Sequence, residues 1–329
     1  MQVTIAGSGG WGTALAILLH ENGHDVTLWS HFEAESKQLA ETHQNPYLPG
    51  VTLPEGLHYS ADPACAQGRE MVVFATPSFA VRTTARAFAP YLAETPLLVS
   101  VTKGIEEGTG YRMSELVSQE TGRTVVALSG PSHAEEVSRG IPTGVVVACP
   151  ERELAERVQN AFMCSRFRVY TSPDTAGIEL GAALKNVIAL CAGVCDGMGY
   201  GDNTKALLMT RGLAEVARLG MALGAHRETF AGLAGVGDLI VTCTSMHSRN
   251  RRAGILIGQG VPMKQVGAVV EGYYAAQSAW ELAQRKNVDM PITEAAYAVL
   301  YEGRDPREAL NSLMLRDRTS EAEDAAWAR

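Results

Sequence analysis

The sequence predicts an α/β protein in which a doubly wound parallel sheet is followed by an all-α C-terminal domain. An apolar strand runs directly into a glycine-rich turn that opens a helix, within residues 3–19. Short apolar, β-rich runs then alternate with helical patterns, which is typical of a parallel sheet covered on both faces. After residue 173 this alternation stops and long helical stretches follow. We therefore expect two domains, over 1–173 and 174–329.

The first strand, at 3–6, leads into GSGGWG at 7–12, a GxGxxG pattern. Gly7 permits the tight turn, Gly9 lets the backbone approach a diphosphate, and Gly12 lets the helix pack closely on the strand. Free N–H groups and the positive end of the helix dipole then face the anion. Because the glycines lie between a strand and a helix, the pattern predicts a Rossmann-type dinucleotide site.

The second strand, at 25–29, bears on the choice of cofactor. An NAD-selective site often ends this strand with an acid that binds the ribose 2′-OH. Here the strand continues into His31 and Phe32, and the first carboxylate is Glu33. The missing acid favours NADP or the use of both cofactors, with His31 as a donor to a 2′-phosphate. Alternatively, His31 is an ordinary loop histidine.

The remaining elements follow in order. A loop punctuated by proline and glycine is expected at 43–57. Further strands are expected at 71–74, 96–101, 125–128, 144–148 and 167–170, with helices at 78–90, 110–121 and 151–162. The second domain is expected to contain helices at 175–196, 204–223, 249–259, 273–286 and 292–302.

Composition excludes several classes of protein. A net charge of −8 over 329 residues argues against nucleic acid or an anionic membrane surface as a general partner. The first strand begins just after Met1, which leaves no room for a signal peptide, and no uninterrupted apolar run is long enough to span a bilayer. The six cysteines form no CxxC pair. We expect a cytoplasmic protein with reduced cysteines, no membrane insertion and no metal site.

Lys185 is the first candidate catalytic residue. It lies within 176–190, a helix made almost wholly of small and apolar residues. Burial lowers the pKa of a lysine toward the range in which it exchanges protons at neutral pH, as a general acid/base for carbonyl–alcohol interconversion requires. The neighbouring Asn186 can orient a substrate oxygen or the lysine. The alternative is a structural lysine paired with Glu179.

Two further candidates follow strands, where doubly wound sheets bind their ligands. Lys103 lies just past one strand, and a solvated loop lysine is its alternative. Gly130 and Ser132 lie in a turn after the next strand, where free N–H groups can hold a carbonyl or phosphate oxygen. The alternative is a plain β–α turn with Ser132 as the helix N-cap.

In the second domain, Asp238 lies on a glycine-rich turn at a helix start. It is either an N-cap or an acid that holds the lysine or a substrate hydroxyl. Residues 248–252, SRNRR, form the densest basic cluster of the chain, and arginine suits a phosphate. Three arginines in four positions cannot all contact one ligand, so Arg249, Arg251 and Arg252 stay open as candidates beside a solvated basic turn.

Taken in order, these segments closely resemble the bacterial NAD(P)-dependent sn-glycerol-3-phosphate dehydrogenases. The motifs that carry the resemblance are GSGGWGTALA (7–16), NPYLPG (45–50), SVTKGIE (100–106), LSGPSHAEEV (128–137), ELGAALKNVIAL (179–190), GDNTKALLMTRGLAE (201–215), AGVGDLIVTCTS (234–245), SRN (248–250) and VEGY (270–273). They span nearly the whole chain, and their order and spacing are far more specific than any one motif.

The resemblance implies reversible reduction of dihydroxyacetone phosphate to sn-glycerol 3-phosphate for glycerophospholipid synthesis, with NAD or NADP as cofactor. It implies that Lys185 accepts the proton in alcohol oxidation and donates it in ketone reduction. The implied substrate positions are Lys103, Gly130, Ser132, Lys185, Asn186, Asp238, Thr242, Ser248, Arg249 and Asn250. The implied cofactor positions are Gly7, Gly9, Gly10, Trp11, Gly12, His31, Lys103, Ala134, Arg249, Val269 and Glu271.

Positions 31–32 bear on the choice between NAD and NADP. NADP-preferring members of the family often carry arginine or another polar residue near 31–32, whereas Phe32 cannot hold a 2′-phosphate. The nearest alternative enzyme is another hydroxyacid dehydrogenase with a Lys-Asn pair. Such an enzyme would bind a carboxylate, whereas residues 248–250 with Lys103 suit a phosphate better. A regulator that only senses the cofactor would not need Lys185 and Asp238. The long apolar helices of the second domain favour a homodimer.

Overall fold

The computed structural model describes residues 1–267, 269–318 and 320–321. In this part of the chain a sheet has the strand order β3-β2-β1-β4-β5-β6-β7-β8. The strands are β1 (Gln2–Ala6), β2 (Asp25–Trp29), β3 (His58–Ser60), β4 (Met71–Phe74), β5 (Leu97–Ser100), β6 (Val126–Ser129), β7 (Thr143–Ala148) and β8 (Phe167–Ser172).

Helices cover both faces of the sheet and form the C-terminal part of the protein. They are α1 (Gly10–Glu21), α2 (Glu33–Thr42), α3 (Val81–Phe88), α4 (Met113–Thr121), α5 (Ala134–Val137), α6 (Arg152–Phe162), α7 (Thr175–Gly197), α8 (Asp202–Ala222), α9 (Asp238–Thr244), α10 (Arg249–Gly258), α11 (Glu271–Lys286), α12 (Pro291–Tyr301) and α13 (Pro306–Met314). The predicted class is confirmed: a mostly parallel, Rossmann-like sheet followed by a helical C-terminal domain.

One pair of strands departs from the predicted parallel arrangement. β6 and β7 run antiparallel, with Ala127 opposite Ala148. A parallel pair needs a crossover, usually through a helix that packs on the sheet. The connection between β6 and β7 contains only the single-turn α5, so the chain turns back beside β6. The parallel direction is restored between β7 and β8, which α6 connects.

The predicted helix at 78–90 is interrupted. Short 3₁₀ turns at Ser78–Ala80 and Ala89–Tyr91 flank α3, so the regular helix covers only the centre of the expected range. Pro90 has no N–H to donate to the carbonyl four residues earlier, which ends the α-helical hydrogen bonding at Phe88. The elements β3, α2 and α13 were not predicted, whereas α9 begins at Asp238, where a helix start was expected.

Helix α7 is the centre of the C-terminal domain and packs closely against α10. An added Cβ at Gly193 would collide with the carbonyl of Arg251, and one at Gly254 with the carbonyl of Leu190. Glycines therefore let the two backbones touch, which brings the start of α10 beside the middle of α7. Among the described residues α7 alone is long and apolar enough to cross a membrane, but 89% of its most apolar window is buried inside the protein, as in a core helix.

A buried carboxylate joins α7 to the sheet-bearing part of the protein. Glu179 accepts hydrogen bonds from the N–H and Oγ of Ser114 at the start of α4, at 2.7 and 2.6 Å, and from Arg112 at 2.7 Å. Burial raises the pKa of Glu179, and Arg112 and Ser114 oppose that rise. Glu179 is therefore committed to α4, and the alternative in which it pairs with Lys185 is wrong.

Candidate active site

Three charged side chains meet between the sheet and the helical domain. Lys185 is 5% exposed and Asp238 is 1% exposed. The Nζ of Lys185 donates to Oδ1 of Asp238 at 2.7 Å and to Oγ1 of Thr242 at 2.5 Å. The Nζ of Lys103 donates to the other oxygen, Oδ2, at 2.8 Å and to the carbonyl of Gly130 at 2.9 Å. One carboxylate thus holds two lysines that come from different domains.

The backbone before α9 explains how Asp238 reaches Lys185. A π-helical turn at Leu233–Gly237 precedes α9 and lies against α7. An added Cβ at Gly181 would be 2.7 Å from the carbonyl of Ala234, so only glycine allows this approach. Asp238 is the first residue of α9, and its carboxylate faces the lysines. The alternative of a simple N-cap is wrong.

The cluster lowers the pKa values of both Lys185 and Asp238, for different reasons. Burial lowers the pKa of Lys185 to about 8, because the charge of Asp238 only partly offsets desolvation and the charge of Lys103 adds to the decrease. Burial alone would raise the pKa of Asp238, but the two lysines hold it below its ordinary value. Near neutral pH the site therefore contains an ionised aspartate and a lysine that can release its proton.

The turn after β6 forms one wall of the site. Gly130 has φ +146°, and an added Cβ would be 2.9 Å from the backbone of Val145. The Oγ of Ser132 donates to the carbonyl of Gly130 at 3.0 Å, so that carbonyl receives both Ser132 and Lys103. The N-cap residue of α5 is His133 and not Ser132, which corrects the capping alternative.

A chain of amide hydrogen bonds connects α7, α10 and α11. The Nδ2 of Asn250 donates to Oδ1 of Asn186 at 2.9 Å, and its own Oδ1 accepts from the N–H of Gly272 at 2.8 Å. Gly272 lies against the carbonyl of Asn186, where an added Cβ would be 2.5 Å from that oxygen. The predicted pair Asn186 and Asn250 is thus brought together next to Lys185.

The arginines of the basic cluster have different environments. Arg251 forms an ion pair with Asp196 at 2.8 Å and donates to the carbonyl of Thr244 at 2.6 Å, so it is a structural residue. Arg249 and Arg252 are exposed. The buried Oγ of Ser248 accepts from the N–H of Arg251 and caps α10. Arg249 lies close enough to Glu271 to influence the pKa of that carboxyl.

The glycine-rich turn has the close contacts that the sequence predicts. Gly7 has φ +133°, and an added Cβ would be 2.7 Å from the backbone of Ala75 after β4. A Cβ at Gly12 would collide with the carbonyl of Gly7. At Gly9, by contrast, an added Cβ would meet no atom within 4 Å. The backbone at the N-terminus of α1 is therefore open on one side, as a bound diphosphate requires.

Four other predicted cofactor positions are Gly10, Trp11, Ala134 and Val269. An added Cβ at Gly10 would lie 3.7 Å from the side chain of Ala134, which starts α5. Trp11 is half-buried, and its Nε1 has no hydrogen-bond partner among the described residues. The side chain of Val269 is 39% exposed.

Glu271 bridges the helical domain to the end of β4. Its carboxylate accepts from the Oγ of Ser78 at 2.6 Å and from the N–H of Ser78 at 3.4 Å. Burial raises the pKa of Glu271, and the bonds to Ser78 counteract that rise. Ser78 was not among the predicted site residues. It follows β4 as Lys103 follows β5, so its position at a strand's carboxyl end was the available signal.

An acid from α2, Glu35, lies at the end of β2 and was not predicted there. The Oγ of Ser30 donates to Glu35 at 2.5 Å, which brings a carboxylate from the first turn of α2 back to the end of the strand. His31 is exposed, and its ring makes edge contacts with Trp29 and Phe32. Phe32 is 64% exposed. The sequence position of Glu35, five residues beyond Ser30, gives no sign of this contact.

The structure also bears on metals and disulfides. All six cysteines are free. Within residues 1–267, 269–318 and 320–321, no group of three histidine, cysteine, aspartate or glutamate side chains is arranged to hold a metal ion.

A Rossmann-like sheet with an open glycine-rich turn, next to a buried lysine–carboxylate pair, defines an NAD(P)-dependent oxidoreductase. Family models described as the N-terminus and the C-terminus of NAD-dependent glycerol-3-phosphate dehydrogenase match residues 2–155 and 174–311. The chain belongs to this family, as the resemblance of its motifs indicated.

Individual relatives agree over the full length. The chain is 53% identical to a glycerol-3-phosphate dehydrogenase [NAD(P)+] of Pelotomaculum thermopropionicum, covering 99% of this chain and 97% of the relative. It is 52% identical to one of Geobacillus kaustophilus, covering 98% and 97%. The crystal structure of glycerol-3-phosphate dehydrogenase from Coxiella burnetii superposes with a TM-score of 0.91 at 37% identity, covering 96% and 99%.

Proposed function

We propose that Lys185 is the proton donor when dihydroxyacetone phosphate is reduced to sn-glycerol 3-phosphate, and the proton acceptor in the reverse reaction. The observation that carries this proposal is the buried cluster in which Asp238 binds both Lys185 and Lys103. A bound nicotinamide supplies or accepts the hydride. The residues of this chain orient the substrate and move the proton.

Each member of the cluster has a distinct role in this proposal. Lys185 donates to the carbonyl oxygen as it gains negative charge, and Lys103 stabilises that charge from the other domain. Each carboxylate oxygen of Asp238 accepts a hydrogen bond from one lysine, which orients both side chains. Thr242 accepts from Lys185 and fixes its direction. Gly130 and Ser132 form the wall on the sheet side, and Asn186 holds Asn250 toward the substrate.

We assign the substrate phosphate to the start of α10. Arg249 is exposed there, while Arg251 is occupied by Asp196. Asn250 and the N-terminus of α10 lie beside Arg249, and Ser248 shapes the turn as its cap. A guanidinium next to a helix N-terminus suits a dianionic phosphate. Among the three arginines of the cluster, Arg249 is the one that we propose grips it.

We place the dinucleotide along the open glycine-rich turn. The N-terminus of α1 receives the diphosphate, with Gly7, Gly9, Gly10, Trp11 and Gly12 around it. Ala134, Lys103, Arg249, Val269 and Glu271 complete the site, and His31 is assigned to the adenosine end. The chain uses NAD or NADP. Glu35 adds negative charge near the end of β2, which counters the preference for NADP that the missing acid suggests.

The proposal is tested by initial rates of dihydroxyacetone phosphate reduction with NADPH and with NADH. Activity with at least one cofactor is expected, and the ratio of the two kcat/KM values measures the selectivity. If the enzyme is inactive on this ketone with both cofactors, the assigned substrate is wrong, and a panel of 2- and 3-oxoacids comes next.

The pH dependence should run in opposite directions for the two reactions. Because ketone reduction needs protonated Lys185, kcat/KM for dihydroxyacetone phosphate should be level below the pKa of about 8 and fall about tenfold per pH unit above it. Alcohol oxidation needs the neutral amine, so its kcat/KM should rise with pH and level off above the same value. Profiles that change in the same direction for both reactions would contradict the role of Lys185.

Arg249→Ala should raise the KM for dihydroxyacetone phosphate roughly 10- to 100-fold, because a charge-assisted bond to the phosphate is lost. The KM for dihydroxyacetone, which has no phosphate, should not change in this variant. Arg252→Ala is the matched control, since Arg252 is also an exposed arginine of α10. Equal effects of the two variants would show that the cluster attracts the substrate only through its overall charge.

The remaining assignments concern the whole protein. We propose the domain division 1–173 and 174–329, which the separate family matches on either side of residue 173 support. Residues 268, 319 and 322–329 of the second domain lie outside the described residues. A homodimer formed through the helical domain and a cytoplasmic location complete the proposal, the latter supported by the six free cysteines.

A further inference from the structure

We propose that Asn45 is a positioning residue for the cofactor, which holds the glycine-rich turn in the conformation that presents main-chain N–H groups to the diphosphate. This inference rests on the placement of the dinucleotide in the proposed function. Asn45 belongs to the loop between α2 and β3, well separated in sequence from the turn at 7–12.

The amide of Asn45 is fully used inside the protein. Asn45 is 3% exposed. Its Nδ2 donates to the carbonyl of Ser8 at 2.8 Å and to Oγ1 of Thr13 at 2.7 Å. Its Oδ1 accepts from the N–H of Tyr47 at 2.9 Å. Thr13 itself donates to the carbonyl of Ser8 at 3.2 Å. Two side chains therefore hold a single carbonyl oxygen in the middle of the glycine-rich turn.

The direction of that carbonyl decides what the turn offers to an anion. The peptide unit between Ser8 and Gly9 is planar, and in a trans unit the C=O and the N–H point in opposite directions. Holding the oxygen of Ser8 inward therefore directs the N–H of Gly9 outward. No protein group along the described chain accepts from this N–H. A rotated unit would instead present the oxygen to the diphosphate and repel it.

The loop that carries Asn45 is firmly attached. Leu48 and Leu53 are buried in the main core, and the N–H of Leu48 donates to the carbonyl of Asn45 at 2.9 Å. The carbonyl of Tyr47 lies against the start of α1, where an added Cβ at Gly10 would be 2.8 Å from it. The amide of Asn45 is thus held by the core and acts on the turn from a fixed position.

The test compares Asn45→Ala with Asn22→Ala. Asn22 lies at the opposite end of α1, and its amide likewise makes two hydrogen bonds as a donor, to the carbonyls of Ala161 and Phe162, both at 3.1 Å. Both variants lose the same kind of hydrogen bonds and some stability. Only Asn45→Ala should weaken cofactor binding, with the Kd for NADH and for NADPH each raised roughly 10-fold in fluorescence titrations. The Kd should rise by the same factor for the two cofactors, because both contain the diphosphate.

Thr13→Val provides a second variant that preserves side-chain volume and removes the other donor to Ser8. It should raise both Kd values in the same direction. At saturating cofactor, kcat should stay within about twofold of wild type in Thr13→Val and Asn45→Ala, since only binding is affected. Wild-type Kd values in both, or an equal loss of binding in Asn22→Ala, would overturn the inference. Because Kd is measured without turnover, these outcomes are independent of whether Lys185 transfers the proton.

Discussion

Lys185→Met should lower kcat for dihydroxyacetone phosphate reduction by about 10²- to 10⁴-fold, the usual contribution of a positioned general acid. Methionine has nearly the length and volume of lysine, so the variant removes the proton without opening a cavity in the packed α7. The Nζ of Lys185 is held by Asp238 and Thr242. The methionine of the variant has no proton to donate from this position.

The measurement is single-turnover reduction with saturating cofactor, together with NADH titration to show that the site still binds it. Lys205→Met is the matched control, because Lys205 is also a poorly exposed lysine paired with an aspartate, Asp196, at 2.7 Å. That variant should lose stability and keep its kcat. If folded Lys185→Met retains kcat within about tenfold of wild type, the general acid is another group.

The fold could be predicted from the sequence because its signals are local. Apolar runs of strand length and the turn at 7–12 define the sheet-bearing domain, and the end of this pattern near 173 separates it from the helices. The direction of β7 was not predictable in the same way, since it depends on whether the connection packs on the sheet. A short element such as β3 has too few residues to show a periodic pattern.

The members of the candidate site could be predicted one by one, but their arrangement could not. Lys185 and Lys103 could be predicted as candidates because an apolar helix and a strand end restrict what a lysine there can do. The sequence offered Asp238 as a partner of the lysine only as one alternative, because its contact with both lysines depends on the packing of the π-helical turn on α7. Asn45 and Glu35 were missed for the same reason: their polar partners lie on other elements or across a turn.

The basic cluster shows why the phosphate ligand could not be chosen from the sequence. Which arginine is available depends on how α10 is rotated about its axis. The close contact of α10 with α7 fixes that rotation and turns Arg251 toward Asp196. Arg249, two residues earlier, then faces away from Asp196. The sequence shows the glycines at the contact between α7 and α10, such as Gly193 and Gly254. It does not show which backbone each glycine lies against.

Asp238→Asn should shift the pH dependence of the reaction as well as reduce its rate. The carboxylate now accepts from two lysines, whereas an asparagine presents one oxygen and one NH₂ group, so one ammonium loses its acceptor. Without the negative charge, the pKa of Lys185 should fall below its present value of about 8. Removing one member of a buried ion pair should also cost about 3–5 kcal/mol of stability.

The measurement is the pH profile of kcat/KM for ketone reduction, with chemical denaturation to record stability. Asp196→Asn is the matched control, because Asp196 likewise pairs with two cations, Lys205 and Arg251. Both variants should be destabilised, but only Asp238→Asn should move the fall in activity to lower pH. A profile that keeps its break near 8 in Asp238→Asn would mean that another group sets it. A change in the pH at which kcat/KM begins to fall distinguishes an electrostatic role of Asp238 from a structural one. Lost stability alone lowers the activity without moving a pKa.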